Sequence, residues 1–162
     1  MTIERFILLA LPAFSIASVF YIPKEKYRLA LISFLAFQTI TWAATIIFVE
    51  IGSIEYPVRV FMRATKSGFM HNFTFIPMIF TWFILLFPFK SSLIKKVLHY
   101  IVFISVIVWF IYFISFYTDL EKFKKGTPLS ISIHLYISYF VYFIICHIYI
   151  SWFSKKENLS QE

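Results

Sequence analysis

Four histidines are the residues best suited to chemistry, since imidazole can bind a metal ion or haem and can move protons. They are His71, His99, His134 and His147. On a single helix, the 13 residues between His134 and His147 span about 20 Å, which is too far for the two to share an ion. A chain that folds back and forth across a bundle places His99 and His147 toward one end and the other two toward the opposite end. Three or four ligands do not converge as a closed zinc site requires, so we expect no metal and no cofactor.

A nucleophile with a base is the second chemistry to consider. His134 and Ser138 are four residues apart, so their side chains would lie on one helix face. Such a dyad needs a third group that orients the imidazole, and the sequence shows none at the right spacing. Cys146 is the only cysteine, which excludes an internal disulfide. The chain therefore lacks a catalytic constellation, and we predict that it is not an enzyme.

Two apolar segments carry polar residues at helical spacing. These stripes contain Gln38, Thr41 and Thr45 in one segment, and His134 and Ser138 in the other. Helices in lipid associate through close packing and hydrogen bonds rather than through the hydrophobic effect. We predict that the two stripes face each other at similar depth. Interhelical hydrogen bonding is the first interpretation, and a ligand pocket is the second.

The elements that must position these residues are apolar segments of membrane-spanning length. The 162-residue chain is 60% hydrophobic and only 14% charged, which is more apolar surface than a soluble domain of this size can bury. A spanning helix needs about 17–25 apolar residues, and backbone polar groups in lipid must be satisfied internally. Five windows without Asp, Glu, Lys or Arg reach that length. We predict transmembrane helices at about residues 6–22, 29–49, 69–89, 97–118 and 128–153.

The predicted fold is therefore all-α, a polytopic membrane helix bundle that forms a single integral membrane domain over residues 1–162. A cleaved signal peptide ending near Ser18 is the alternative for the first window, but the apolar run continues past that point. The loops on the two sides of the membrane carry seven and eight Lys and Arg residues, so the positive-inside rule gives only a slight preference. We favour an outside N-terminus and an inside C-terminus.

The stretch IEYPVRVFMRATKSG, residues 54–68, interleaves basic and apolar residues between the second and third windows. Pro57 suits the first position of a helix and Gly68 suits its end. The spacing then predicts a short interfacial amphipathic helix over residues 57–67, with its basic face toward anionic lipid headgroups; an irregular loop is the alternative. The basic residues expected to contact headgroups or a partner are Arg59, Arg63, Lys66, Lys122, Lys124 and Lys125.

Two motifs carry a family resemblance. The run IEYPVR at residues 54–59, followed by an aromatic stretch and later by TDLEKFKKG at residues 118–126, resembles a family of small, uncharacterised multi-pass membrane proteins of endospore-forming bacteria. The similarity covers roughly residues 54–153. Relatives tend to have an acidic residue where Asn72 stands, and tryptophans where residues 127–129 lie. The resemblance implies the architecture and a bacterial cell membrane, but it supplies no reaction.

These observations lead to three expectations about function. The leading one is a non-enzymatic interaction or structural component of a bacterial cytoplasmic membrane, with lipid, a membrane protein or a second copy as partner and without nucleic acid. The alternative is a small permease or carrier for a neutral or amphiphilic molecule, which an enclosed cavity lined by the polar stripes would favour. The third is a haem- or metal-binding membrane protein. Ion-coupled transport is disfavoured, because every acidic residue lies at or beyond the end of a window.

Overall fold

The computed structural model describes residues 3–60, 63, 66, 68 and 71–159, with side chains up to residue 154 in the last helix. Over these residues the fold is all-α, as predicted, apart from one pair of very short strands. The helices are α1 (Ile3–Val19), α2 (Tyr27–Glu50), α3 (Ile76–Leu85), α4 (Leu93–Tyr117) and α5 (Pro128–Leu159), and the strands are β1 (Ile54–Glu55) and β2 (Lys122–Phe123). A 3₁₀ turn at Lys24–Lys26 precedes α2, and a π-helical turn at His71–Phe75 leads into α3.

Among the described residues, three segments are long and apolar enough to cross a membrane: Lys24–Glu50, Leu93–Tyr117 and Pro128–Ser154. They correspond to the second, fourth and fifth predicted windows. The helix α1 has 17 residues, and the π-helical turn together with α3 forms a shorter apolar helix at His71–Leu85. The helical architecture of the prediction is confirmed, and membrane-spanning length is shown for three of its helices.

The shortest helix, α3, lies at the centre of the bundle. Eight of its ten residues are buried, because α2 and α4 pack against it. Aromatic rings fill this interior: Phe37 of α2 stacks on Phe80 of α3 at 4.3 Å between centroids, and Phe143 of α5 meets both rings edge-on. Stacked and edge-to-face rings are favourable geometries, so the high phenylalanine content is used to join α2, α3 and α5.

The π-helical turn before α3 depends on polar side chains of α2. Pro77 has no N–H, so the carbonyls of the preceding turn lose a backbone donor. Gln38 Nε2 donates to the Phe73 carbonyl at 2.9 Å, and Thr41 Oγ1 lies 3.3 Å from the Asn72 carbonyl. Neighbouring helices commonly satisfy backbone groups that a proline releases in a membrane helix. The α2 polar stripe therefore supports the start of α3.

The loops at one end of the bundle pair with each other. Strands β1 and β2 are antiparallel, with Ile54 opposite Phe123, and the Lys124 N–H donates to the Ser53 carbonyl at 3.0 Å. The pairing continues where the Val58 N–H donates to the Asp119 carbonyl at 3.1 Å. The loop between α2 and α3 is thereby held against the loop between α4 and α5.

This pairing corrects the prediction of an interfacial helix over residues 57–67. Residues 57–60 are not helical; they follow β1 along the facing loop, where the Val58 N–H bonds to the Asp119 carbonyl. Residues 61–62, 64–65 and 67 lie outside the described part of the chain, while Arg63 and Lys66 occupy an exposed turn and bend. Gly68, predicted to end the helix, is instead buried close to the side chains of Tyr56 and His71.

Candidate functional site

A cavity of about 300 Å³ lies at the paired-loop end of the bundle, between α2, α4, α5 and the β1–β2 pair. We call it the loop-end cavity. Four of the five residues of the two polar stripes line it, namely Thr41, Thr45, His134 and Ser138. The fifth, Gln38, is not among the lining residues, since its amide is directed to the Phe73 carbonyl. The structure therefore brings the two stripes to one cavity rather than into direct hydrogen bonds with each other.

A buried network closes one side of the loop-end cavity. Asn72 Nδ2 donates to the Tyr56 hydroxyl at 3.0 Å, and Thr45 lines the cavity beside them. Thr45 in turn donates to the Thr41 carbonyl one turn earlier on α2, at 2.8 Å. Asn72, Tyr56 and Thr45 also line the cavity, so this wall offers hydroxyl and amide groups whose positions are set by the helices behind them.

An imidazole and a carboxylate form a buried pair at the same wall, and Glu121 also lines the cavity. His71 Nε2 lies 3.0 Å from Glu121 Oε2, and the two residues are only 1% and 3% exposed. A carboxylate can only accept, so Nε2 carries a proton that it donates to Glu121. The Asn72 amide, 3.3 Å from the same nitrogen, is then a neighbour and not a partner. His71 Nδ1 is buried without a hydrogen-bond partner among the described residues.

The neighbouring Glu121 carboxylate affects the pKa of Tyr56. Burial raises the pKa of Tyr56 well above its ordinary value, and the nearby Glu121 carboxylate raises it further. Both effects disfavour the phenolate, the first because a charge loses its hydration and the second because like charges repel. Tyr56 is therefore a neutral hydroxyl at physiological pH.

On the α5 wall, His134 is tied to its own helix. Its Nδ1 donates to the Ser130 carbonyl at 2.7 Å, and the imidazole is exposed. Ser138, four residues later, lines the same cavity. The structure thus brings His134 and Ser138 to one cavity, but it directs the His134 Nδ1 proton to the Ser130 carbonyl.

The other two histidines lie at the opposite end of the bundle. His99 Nε2 donates to the Phe83 carbonyl at 2.9 Å, and His147 Nδ1 is hydrogen-bonded to the Tyr100 hydroxyl. The Phe87 ring separates them, with its centroid 5.5 Å from the His99 ring and 4.4 Å from the His147 ring. Within the described residues, no three His, Cys, Asp or Glu side chains are grouped so that they could hold a metal ion.

The basic residues of the paired loops divide into two groups. Lys124 makes an ion pair with Glu55 at 2.7 Å, Lys122 lies 3.4 Å from Asp119, and Arg59 Nη1 donates to the Lys66 carbonyl at 3.3 Å. Arg63, Lys66 and Lys125 form the second group and are exposed, as Lys124 also is; Lys125 lines the loop-end cavity as well. These four exposed residues are the ones placed to contact headgroups.

Sequence reasoning did not identify Tyr56, His71, Asn72 and Glu121 as one cluster. Each looks ordinary alone, since polar residues are expected where a membrane helix ends. A hint was present in the family resemblance, which singled out position 72 and both loop motifs. The cluster requires the pairing of two loops, which no local pattern reveals.

Comparison with known proteins gave no assignment, since no protein-family model, curated protein or solved structure matches the chain. Function must therefore be argued from the loop-end cavity and its surroundings.

Proposed function

We propose that this protein is a five-span, non-enzymatic integral protein of a bacterial cell membrane that binds a small neutral or amphiphilic molecule in the loop-end cavity. One observation carries the proposal: two polar stripes on distant segments, α2 and α5, line a single cavity of about 300 Å³. Ligand cavities begin at about this size, and a cavity of about 150 Å³ is already large enough for benzene.

The chemistry of the lining suits an amphiphile. Apolar groups such as Phe48, Ile111 and Leu135 line the cavity together with hydroxyl groups of Thr45 and Ser138. Ligand sites typically combine an apolar wall with a few placed polar groups. A molecule with a polar head and a short apolar body would find partners for both parts.

Membrane placement is supported by the outer surface of the bundle. Large apolar side chains point away from the interior along the long helices, including Trp109 at 70% and Ile148 at 65% exposure. Exposed apolar area on this scale marks a membrane-facing surface. The 17-residue α1 spans about 26 Å at 1.5 Å per residue, close to the hydrocarbon thickness of about 30 Å, so we assign it as the first span.

The third span in this proposal is the segment around α3. The π-helical turn and α3 together cover 15 residues, or about 22 Å. The Phe87 N–H donates to the Ile84 carbonyl at 3.3 Å and extends the turn structure beyond α3. Because other helices surround α3, its length does not have to equal the thickness of the hydrocarbon core.

The binding proposal can be tested with 2-phenylethanol, a water-soluble molecule with a hydroxyl head and an apolar ring. We expect saturable binding to the purified protein in a nonionic detergent, measured by saturation-transfer NMR. Ser138→Trp places a large side chain in the loop-end cavity and should abolish the signal. Ser132→Trp is the matched control, because Ser132 lies on the same helix outside the cavity lining. Equal binding by both variants would contradict the proposal.

A partner-binding or structural role is the second proposal. Its support is the paired-loop surface, where β1 and β2 join and the Glu55–Lys124 ion pair lies outside. A surface held in one arrangement loses less conformational freedom on binding than a mobile loop does. Co-purification after mild crosslinking tests this role. A Glu55→Lys variant that captures the same membrane proteins in the same amounts would count against the paired loops as their contact.

A further inference from the structure

We propose that the ligand of the loop-end cavity carries an amine or quaternary ammonium group, and that Glu121 recognises its positive charge. This inference rests on the proposed binding function and narrows it to a ligand class, a cationic amphiphile.

The first support is the position of Glu121. It is the one carboxylate among the residues that line the loop-end cavity in the described part of the chain, and it is 3% exposed. A buried carboxylate is costly unless it is paired. Its described partner is His71, whose Nε2 donates one hydrogen bond to Glu121 Oε2 at 3.0 Å.

The second support is the aromatic lining. Tyr56, Tyr139 and Tyr142 from two walls, together with Phe48 and Phe123, line the same cavity. Aromatic faces attract organic cations through their quadrupoles, and several rings around one space are the usual way that proteins hold quaternary ammonium groups. A carboxylate beside such rings attracts a cationic ligand further. A ligand with an alcohol or an acid head group would not gain this attraction.

The positive groups near the cavity do not offset this preference. Lys125 lines the cavity but is exposed, where water screens its charge. His134 is exposed on α5 and already donates from Nδ1 to the Ser130 carbonyl. Glu121 is the buried carboxylate of the cavity lining.

Three probes of nearly equal size separate head-group charge from apolar fit: 2-phenylethylamine, 2-phenylethanol and phenylacetate. At pH 7 the amine is protonated and the acid is ionised. We expect the amine to bind wild-type protein most tightly, and Glu121→Gln to weaken its binding about tenfold, as removal of one partly desolvated charge partner should. The ratio of amine affinity to 2-phenylethanol affinity should therefore fall about tenfold in Glu121→Gln, and circular dichroism reports whether the variant is folded. Glu55→Gln, at an exposed carboxylate, is the matched control and should change nothing.

The outcomes separate this inference from the function on which it rests. If the alcohol or phenylacetate binds wild type as tightly as the amine, the cationic ligand class is wrong while the binding function stands. If no probe shows saturable binding, the binding function itself fails. If Glu121→Gln does not fold, the order of the three wild-type affinities still decides the ligand class.

Discussion

Replacing Gly68 by alanine should disrupt the buried network of the loop-end cavity. A Cβ atom built at this position would lie 2.5 Å from Tyr56 Cε1 and 2.6 Å from Tyr56 Cδ1, and it would overlap His71 Cε1. Ordinary contacts begin at 3.4 Å, so the Tyr56 ring would have to move by about 0.9 Å, the difference between 3.4 and 2.5 Å. Both neighbours are almost fully buried, at 2% and 1% exposure, and have little room to retreat.

The energetic cost follows from what this movement would break. A displacement of about 0.9 Å would stretch the 3.0 Å bonds from Asn72 to Tyr56 and from His71 to Glu121 beyond hydrogen-bonding distance. Overpacking a well-packed site costs about 1–3 kcal/mol, and each lost buried hydrogen bond adds about 1 kcal/mol. With both bonds lost, we expect Gly68→Ala to lower the free energy of unfolding by about 3–5 kcal/mol.

Reversible unfolding in mixed micelles, followed by circular dichroism, measures this change. Gly52→Ala is the control, because a Cβ there meets nothing within 4 Å although the backbone has φ +68°. Gly52→Ala should lower the free energy of unfolding only by the cost of a left-handed backbone, about 1–2 kcal/mol. A loss for Gly68→Ala no greater than that for Gly52→Ala would refute the close packing on which the cavity wall depends.

Two further predictions concern the start of α3 and the exposed basic residues. Gln38→Leu leaves the Phe73 carbonyl without its side-chain donor and should cost about 1 kcal/mol of stability in the same unfolding assay. Thr39→Ala, at an exposed neighbour that bonds only its own helix, should cost less; equal losses would argue against a supporting role for Gln38. Replacing Arg59, Arg63 and Lys66 together with Gln should weaken association with anionic liposomes or reorient insertion, since each basic residue near such a surface contributes about 1 kcal/mol. Unchanged liposome binding and unchanged reporter-fusion topology would exclude an interfacial role for these residues.

Helix positions could be predicted from the sequence because they depend on local properties. The window at residues 97–118 corresponds to α4 at Leu93–Tyr117, and the window at 29–49 corresponds to α2 at Tyr27–Glu50. The third window, 69–89, contains a shorter helix than its length suggests. Pro77 interrupts the backbone bonding at its start, and Pro88 disfavours helical geometry at the residue before it.

The cavity wall could not be predicted, because it depends on residues that are distant in the chain. Ile54 pairs with Phe123, and this pairing places Glu121 against His71. The local argument for a helix beginning at Pro57 failed for the same reason, since the β1–β2 pairing and the bond from the Val58 N–H to the Asp119 carbonyl hold this segment along the facing loop. The polar stripe of α2 was recognised from spacing alone, but its hydrogen-bond partners became visible only with the position of α3.

The buried position of α3 has a consequence for the biogenesis of the protein. Its residues are the most apolar of any helix in the described chain, although in the finished bundle they hardly meet lipid. Synthesis proceeds from the N-terminus, so in the proposed five-span arrangement α3 enters the bilayer before α4 and α5 exist to cover it. Its apolarity then serves the insertion intermediate, and a polar substitution such as Phe80→Ser would act first on membrane integration during translation.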